Sequence, residues 1–494
     1  MNFIVIVSDS LRRDHLGCYG NDWISTPNID AFAKQCVVFD RAYVASFPTV
    51  PHRRDFLTGR FTATYVGWSP LGQRSTITAE HIPADPRPGV ADEIVIPEIL
   101  SEAGYVSMMI VDNPHILENG YHFDRGFDGF EWIRGQESDR WRTSPREPKY
   151  HCDPAKIRRR DRIQQRHRRS VANRRYETDT FPARTMNRAT QWLEDNYRQD
   201  KFFLYVDTFD PHEPWDAPQW YVDMYNPGYT GDVVDYPQLA YVDGYLTDEE
   251  LAHCRALYAA EITLVDRWVG TLFQKIEDLG LLENTMVIFM SDHGHLQGEH
   301  GIIGKALLWE QDEYFSYFPL YEDVNHIPFM VRYPGVEPRR SQAMIQPTDI
   351  CPTVVDIAKC ADPGTMHGKS MSDVLLHGRD DHRAYTVSTP YIKSDPCPAT
   401  IVKDPWAAIL FPRRRTEERL VDPAVDGFDK LQVKSEFADQ VQSEDLLFDM
   451  SKDPKQEHDV KDQHPKVMEE LRADLVRRFE EVGTAKEIVD LWRP

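Results

Sequence analysis

Five short apolar runs punctuate the chain: Phe3 to Val7, Val106 to Val111, Phe202 to Val206, Met286 to Met290 and Ile327 to Val331. Each has the length of a strand, and each is apolar at nearly every position rather than at every second one. Strands covered on both faces read this way. Amphipathic segments lie between them. The clearest runs from about Asp248 to Leu279, where Leu251, Cys254, Tyr258, Ile262, Val265, Val269, Leu272, Ile276 and Leu279 recur every three or four residues. "TDEE" at 247–250 gives it a capping box and Gly280 a stop. Thr26-Pro27 opens a second helix. A third is predicted around Pro51, ending at Thr58-Gly59, with Thr49 just ahead of its start as an N-cap or as something reactive. Strands alternating with helices predict an α/β fold with a mostly parallel sheet.

After about residue 380 the pattern changes. The short strand-like pieces "AYTVS", "WAAILF", "KLQVKS" and "DLLFDM" precede one helix, "HPKVMEELRADLVRRFEEV". The expected division is a large domain over 1–380 and a small C-terminal α+β subdomain, an antiparallel sheet plus helix, over 381–494.

Charge narrows the function classes. The 494 residues include 57 basic and 80 acidic side chains, a net charge of −23, which argues against a general nucleic-acid surface. The stretch 156–175, "KIRRRDRIQQRHRRSVANRR", departs from that average. It reads as a solvated insertion, or alternatively as a clamp for an anionic substrate or an acidic neighbouring subunit. No apolar run is long enough to span a membrane. Seven scattered cysteines without a CxxC pair predict neither a disulfide framework nor a structural zinc site, and a cytoplasmic location is expected.

Ligands of open α/β sheets collect outside the carboxyl ends of the strands. Those ends are polar here: Ser8-Asp9-Ser10, Asp112 to His115, "DTFDPHEP" with Asp210 and His212, and "SDHGHLQGEHG" with Asp292, His293 and His300. Asp9, Asp292 and His293 offer two carboxylates and an imidazole to one divalent cation, with the Thr49 hydroxyl as a fourth ligand. A histidine in the set suits Mn²⁺ or Zn²⁺, and Ca²⁺ or Mg²⁺ remains open. Arg53, in the first turn behind Thr49, is placed for an anionic substrate. Ser10, His52 and Asp210 are further candidates around the site, and Asp349 reads as a helix cap.

These segments resemble, in order, the sulfatase branch of the alkaline phosphatase superfamily. "IVIVSDSLRRDHLGCYG" is similar to its opening strand and metal loop, and "TVPHRRDFLTGR" to its nucleophile signature. "FFLYVDTFDPHEPW" and "LLENTMVIFMSDHGHLQGEHGIIGK" are similar to its substrate-histidine strand and second metal loop. The resemblance implies an alkaline-phosphatase-like, mostly parallel sheet flanked by helices. It implies Asp9, Asp292 and His293 as metal ligands, with Ser10 a weaker one. It puts Thr49 at the nucleophile position, with Arg53 steadying it. His212 and Lys305 would contact the anionic head or leaving group, and His115 would assist breakdown of the intermediate. Asp112 and His300 are expected among the substrate contacts.

Thr49 marks a departure. Sulfatases oxidise Cys or Ser to formylglycine, and the methyl group on the threonine β-carbon closes that route, so no formylglycine is expected. Threonine is the nucleophile in branches of the superfamily that attack phosphorus. The expectation is therefore a metal-dependent hydrolase of small anionic esters, foremost phosphate mono- and diesters or phosphonate esters, using one Mn²⁺, Zn²⁺ or Ca²⁺ ion. The alternatives are sulfate-ester hydrolysis without formylglycine and an inactive homologue that binds anions or glycans. Neither a nucleic-acid nor a membrane partner is expected, and a homo-oligomer is left open. Specificity is expected in the loops 62–92, 115–180 and 306–325.

Overall fold

The computed structural model describes residues 1–61, 71, 93–143, 149–309, 315–390, 398–413 and 444–493. Eight strands form the central sheet. From edge to edge they are Arg339–Ile345, Val37–Ala42, Phe329–Arg332, Thr285–Ser291, Asn2–Ser8, Phe202–Thr208, Val106–Val111 and Gly129–Trp132. Phe329–Arg332 is antiparallel to both neighbours, and the other pairs are parallel. All five apolar runs lie in this sheet. Pattern reading missed Val37–Ala42 ("VVFDRA") and the two edge strands, "RRSQAMI" and "GFEW". Their polar positions break any continuous apolar run.

The first strand shows why the sheet sits in the middle. Phe3, Val5 and Val7 face one apolar cluster with Phe56, Leu57, Ile96 and Ile350. Ile4 and Ile6 face the other with Leu193, Ile262, Val265 and Leu272. Each such side chain contributes about 1.5–3 kcal/mol on burial. A one-residue slip would exchange the two sets, so the register is firmly specified. Helices Phe181–Asn196 and Asp248–Asp278 cover one face, and Thr49–Thr58, Ile96–Glu102 and Ile350–Ala358 the other. The long helix starts at the predicted capping box, where Glu250 N–H donates to Thr247 Oγ1 (3.2 Å) and Thr247 N–H to Glu250 Oε2 (3.0 Å). Among the described residues, no helix is long and apolar enough to cross a membrane.

The C-terminal sheet runs Leu446–Asp449, Trp406–Leu410, Ala399–Lys403, Thr386–Pro390 and finally Ser46–Phe47. That last strand comes from the N-terminal part of the chain and pairs in parallel, Ser46 with Thr389. The small sheet therefore braces the segment that leads straight into Thr49–Thr58. Pro465–Glu481 packs against it as the predicted helix. The piece "KLQVKS" lies outside the described residues.

Candidate active site

Parallel strands in level register bring their carboxyl ends together. Ser8 pairs with both Thr208 and Ser291, and Val111 with Asp207. Asp9 and Asp292 thus leave adjacent strands side by side. Ser10 has a left-handed backbone (φ 60°), which turns its N–H onto Asp292 Oδ1 at 2.8 Å. Its hydroxyl donates to Asp9 Oδ1 at 2.9 Å. Asp9, Asp292 and His293 are fully buried, and each offers a ligand atom within 4.8 Å of the others. The chain can turn after His293 only because residue 294 is glycine: a Cβ there would stand 1.9 Å from the Asp323 carbonyl oxygen.

Arg53 ties this cluster to the helix tip. Its Nε and Nη2 fork onto Asp207 at 2.9 and 3.0 Å, Nη2 also lies 3.1 Å from Asp9 Oδ2, and Nη1 meets Asp292. Nη1 further donates to the Thr49 carbonyl at 3.3 Å. Three fully buried carboxylates thus share one guanidinium, an excess of two negative charges. Burial and the facing Asp292 push the Asp9 carboxyl well above the usual range. Against the cost of burial, Arg53 holds Asp292 well below it, with His293 and His52 adding to the effect.

The donor set fits a divalent cation. His293 Nδ1–H donates to the Gly294 carbonyl at 2.9 Å, which fixes the tautomer and leaves Nε2 with its lone pair. That nitrogen is buried without a hydrogen-bond partner, 3.5 Å from Asp292 Oδ2 and 4.0 Å from Asp9 Oδ1. Burial lowers the His293 pKa to about 3, so the ring is neutral at pH 7, as a ligand must be.

Thr49 is the first residue of its helix, not the cap before it. Pro48 holds the cap position, and its carbonyl accepts the first helical bond, from His52 N–H at 3.1 Å. Lys305 Nζ reaches Ser10 Oγ at 3.5 Å, and its charge acts on Asp9, His212 and Glu213. His212 stacks on Phe209 at 4.0 Å and donates from Nδ1 to the Glu213 carbonyl at 2.6 Å, leaving Nε2 bare. Burial, then Lys305, hold its pKa well below the ordinary value. His115 lies beside it, ring centres 6.3 Å apart. His52 is fully buried with both ring nitrogens unpartnered, and burial lowers it to about 3. Asp210 accepts from Gln136 Nε2 at 2.6 Å. Asp349 closes the capping box of the 3₁₀ turn ahead of helix Ile350–Ala358, accepting from Gln346 N–H at 2.9 Å.

Two expected substrate contacts are placed otherwise. The Asp112 carboxylate is taken up by Thr185 Oγ1 (2.6 Å), Thr208 Oγ1 (3.1 Å) and Phe209 N–H (2.5 Å), so it fastens the strand ends to each other. Its neighbour Asn113 is the one that turns to the cluster, with Nδ2 3.4 Å from Asp9 Oδ2. His300 has a left-handed backbone (φ 53°) and stacks on Tyr321 at 3.6 Å, with Nε2 3.8 Å from Asp323. Among the described residues, no contact joins it to Asp9, Asp207 or Asp292. The basic stretch is not a solvated insertion either. Lys156 pairs with Glu250, Arg158 with Glu213 (2.5 Å), Arg168 with Asp235 and Arg174 with Asp216 (2.5 Å). It is a strap stitched to this chain's own acids.

The sequence reading quoted the segments that hold Asp207, Asn113, Glu213 and Arg158 without singling those residues out, and it missed Glu137. Asp207 had a signal. Phe203, Tyr205 and Asp207 share one face of a buried strand, and a carboxylate there requires a partner. Of the aromatic loop segments, most of 62–92 and 310–314 lie outside the described residues.

Comparison with known proteins places the chain. The Sulfatase family profile matches residues 1–360. The arylsulfatase of Clostridium perfringens is 25% identical over 418 residues, covering 78% of this chain and 80% of its own. The N-acetylgalactosamine-6-O-sulfatase of Bacteroides thetaiotaomicron is 24% identical, covering 95% and 91%. The crystal structure of the phosphonate monoester hydrolase of Agrobacterium radiobacter superposes with a TM-score of 0.67 at 18% identity, covering 97% of this chain and 96% of that one. A phosphonate monoester hydrolase from Silicibacter pomeroyi gives 0.68 at 19%, covering 98% and 96%. The chain therefore belongs to the sulfatase family and is a hydrolase of ester bonds.

Proposed function

We propose that this hydrolase uses Thr49 as its nucleophile on phosphate or phosphonate esters. The observation that carries the reading is the join between helix tip and carboxylates: one buried guanidinium, Arg53, touches Thr49, Asp9, Asp207 and Asp292. Asp9, Asp292 and His293 would hold one divalent cation, with the Thr49 hydroxyl beside them. Such an ion supplies Lewis acidity and favours the alkoxide form of a neighbouring hydroxyl. Lys305 binds and orients the anionic head and stabilises its developing charge, while Arg53, all its N–H groups engaged, holds the carboxylates and the Thr49 carbonyl in place. Thr49 Oγ, its proton passing to solvent, bonds to phosphorus as the ester P–O bond breaks, and the leaving oxygen takes a proton from Lys305. Water then releases the phosphoryl group from Thr49.

Sulfate esters are the second reading, favoured by relatives that are named sulfatases. Parallel assays of an aryl sulfate, a phosphate monoester, a diester and a phosphonate monoester decide between them. Thr49→Ala should lower turnover by roughly 10⁴-fold or more while metal content and folding persist. Rapid quench should leave a phosphoryl group on the Thr49 peptide, separable from a sulfuryl group by accurate mass. Near-normal turnover by Thr49→Ala would overturn the nucleophile assignment.

A further inference from the structure

A buried carboxylate stands behind His115. Glu137 is 3% exposed, and its Oε2 lies 3.1 Å from His115 Nε2. Its other oxygen accepts the Tyr236 hydroxyl at 2.6 Å, and Arg158 of the strap stacks over that tyrosine ring at 4.4 Å. The Glu137 N–H donates to His167 Nδ1 at 3.1 Å, and His167 Nε2 is held by Asp216 at 2.7 Å. Its backbone is left-handed (φ 36°), a conformation non-glycine residues hold only where the surroundings enforce it. Tyr236, the strap through Arg158 and His167, and Asp216 thus converge to hold one carboxylate on one imidazole. A structural role alone leaves the other end of that imidazole unexplained: the His115 side chain is 30% exposed and opens beside His212.

We infer that Glu137 is a positioning residue, which holds the Nε2–H of His115 and so presents Nδ1 as the proton acceptor for the second half of the reaction. The inference rests on the covalent two-step reading above. In that half, Nδ1 takes a proton from water as the water oxygen bonds to phosphorus and the bond from phosphorus to Thr49 Oγ breaks. The proton then passes from His115 to the Thr49 alkoxide, restoring the hydroxyl. Glu137 stays ionised throughout and offsets the transient imidazolium charge, the part a buried carboxylate plays behind an acid–base histidine.

The test is Glu137→Gln, which keeps shape and removes the charge. With an aryl phosphate or phosphonate ester, the first turnover should run at the wild-type rate. Steady-state turnover should fall by about 10²-fold, so that a burst appears and phosphorylated Thr49 accumulates. Tyr236→Phe should act in the same direction at about threefold, and His115→Ala added to Glu137→Gln should cost little more. Equal slowing of both phases, or fully additive losses, would overturn the inference. A second measurement needs no turnover: ¹⁵N-histidine spectra of the whole chain should show His115 protonated at Nε2 in wild type and mixed tautomers in Glu137→Gln. An Nδ1-protonated wild-type ring would overturn it as well. A wild type inactive on every ester in the panel would instead sink the reading it rests on, with the tautomer measurement still able to decide the Glu137–His115 pairing.

Discussion

The two halves of the site are built by different means. The carboxylate half, Asp9, Asp292 and His293, hangs from strand ends held level by backbone register. The histidine half, His115, Glu137, His212 and Glu213, is assembled by loops and the basic strap, and depends on side chains reaching across the chain. Both halves rest on a buried arginine among carboxylates. Arg53 serves three carboxylates, while Arg158 pairs with Glu213 at 2.5 Å. Register places ligands rigidly and predictably. Long-range charge pairing places them just as closely, but one broken pair releases the whole constellation.

Arg53→Met should have the largest effect, because it strands three carboxylates in the core. Loss of one partner from a buried ion pair costs about 3–5 kcal/mol, so denaturant titration should show at least that much destabilisation, or no soluble protein. Asp292→Ala should spare stability by comparison. It removes a charged ligand, and bound metal and at least about 10³-fold of turnover should go with it; retention of full metal by mass spectrometry would mean that the ligand set is wrong. On the other half, Arg158→Met should loosen Glu137 and Glu213 and lower kcat by about tenfold, with metal content unchanged. Metal loss from that variant would show that the halves are not separable.

The smallest effect is expected from Asp112. Burial lifts its carboxyl to about 7, against about 3.9 for an exposed one. A carboxyl raised in the folded state stabilises it below the lower value, and that stability is lost as pH rises through 7. Asp112→Asn should therefore flatten the decline in Tm between about pH 4 and pH 7 and leave KM within about twofold. A larger rise in KM would return Asp112 to the substrate contacts.

How much was legible follows the same division. The apolar runs fixed the strands, and the polar residues just beyond them named Asp9, Asp292 and His293. Chemistry inside an element was harder to see: Asp207 sits in a strand that reads as apolar, and Asp112 and Asn113 exchange roles through a turn that no periodicity encodes. The strap was misread because its partners are remote, with Arg158 to Glu213 spanning 55 residues and Lys156 to Glu250 spanning 94. A charge run whose neutralising acids lie elsewhere looks solvated. Glu137 gave no signal, since a lone glutamate between structured segments matches no motif.

The place of the first strand has a consequence for biosynthesis. Asn2–Ser8 is buried on both faces and is synthesised far ahead of its two neighbours, Phe202–Thr208 and Thr285–Ser291. At roughly 5–20 residues per second, that strand waits tens of seconds for its partners, with both edges open. Nascent chains of this protein should therefore depend on holding chaperones until about residue 300 is made, and refolding from denaturant should be slow and concentration-sensitive.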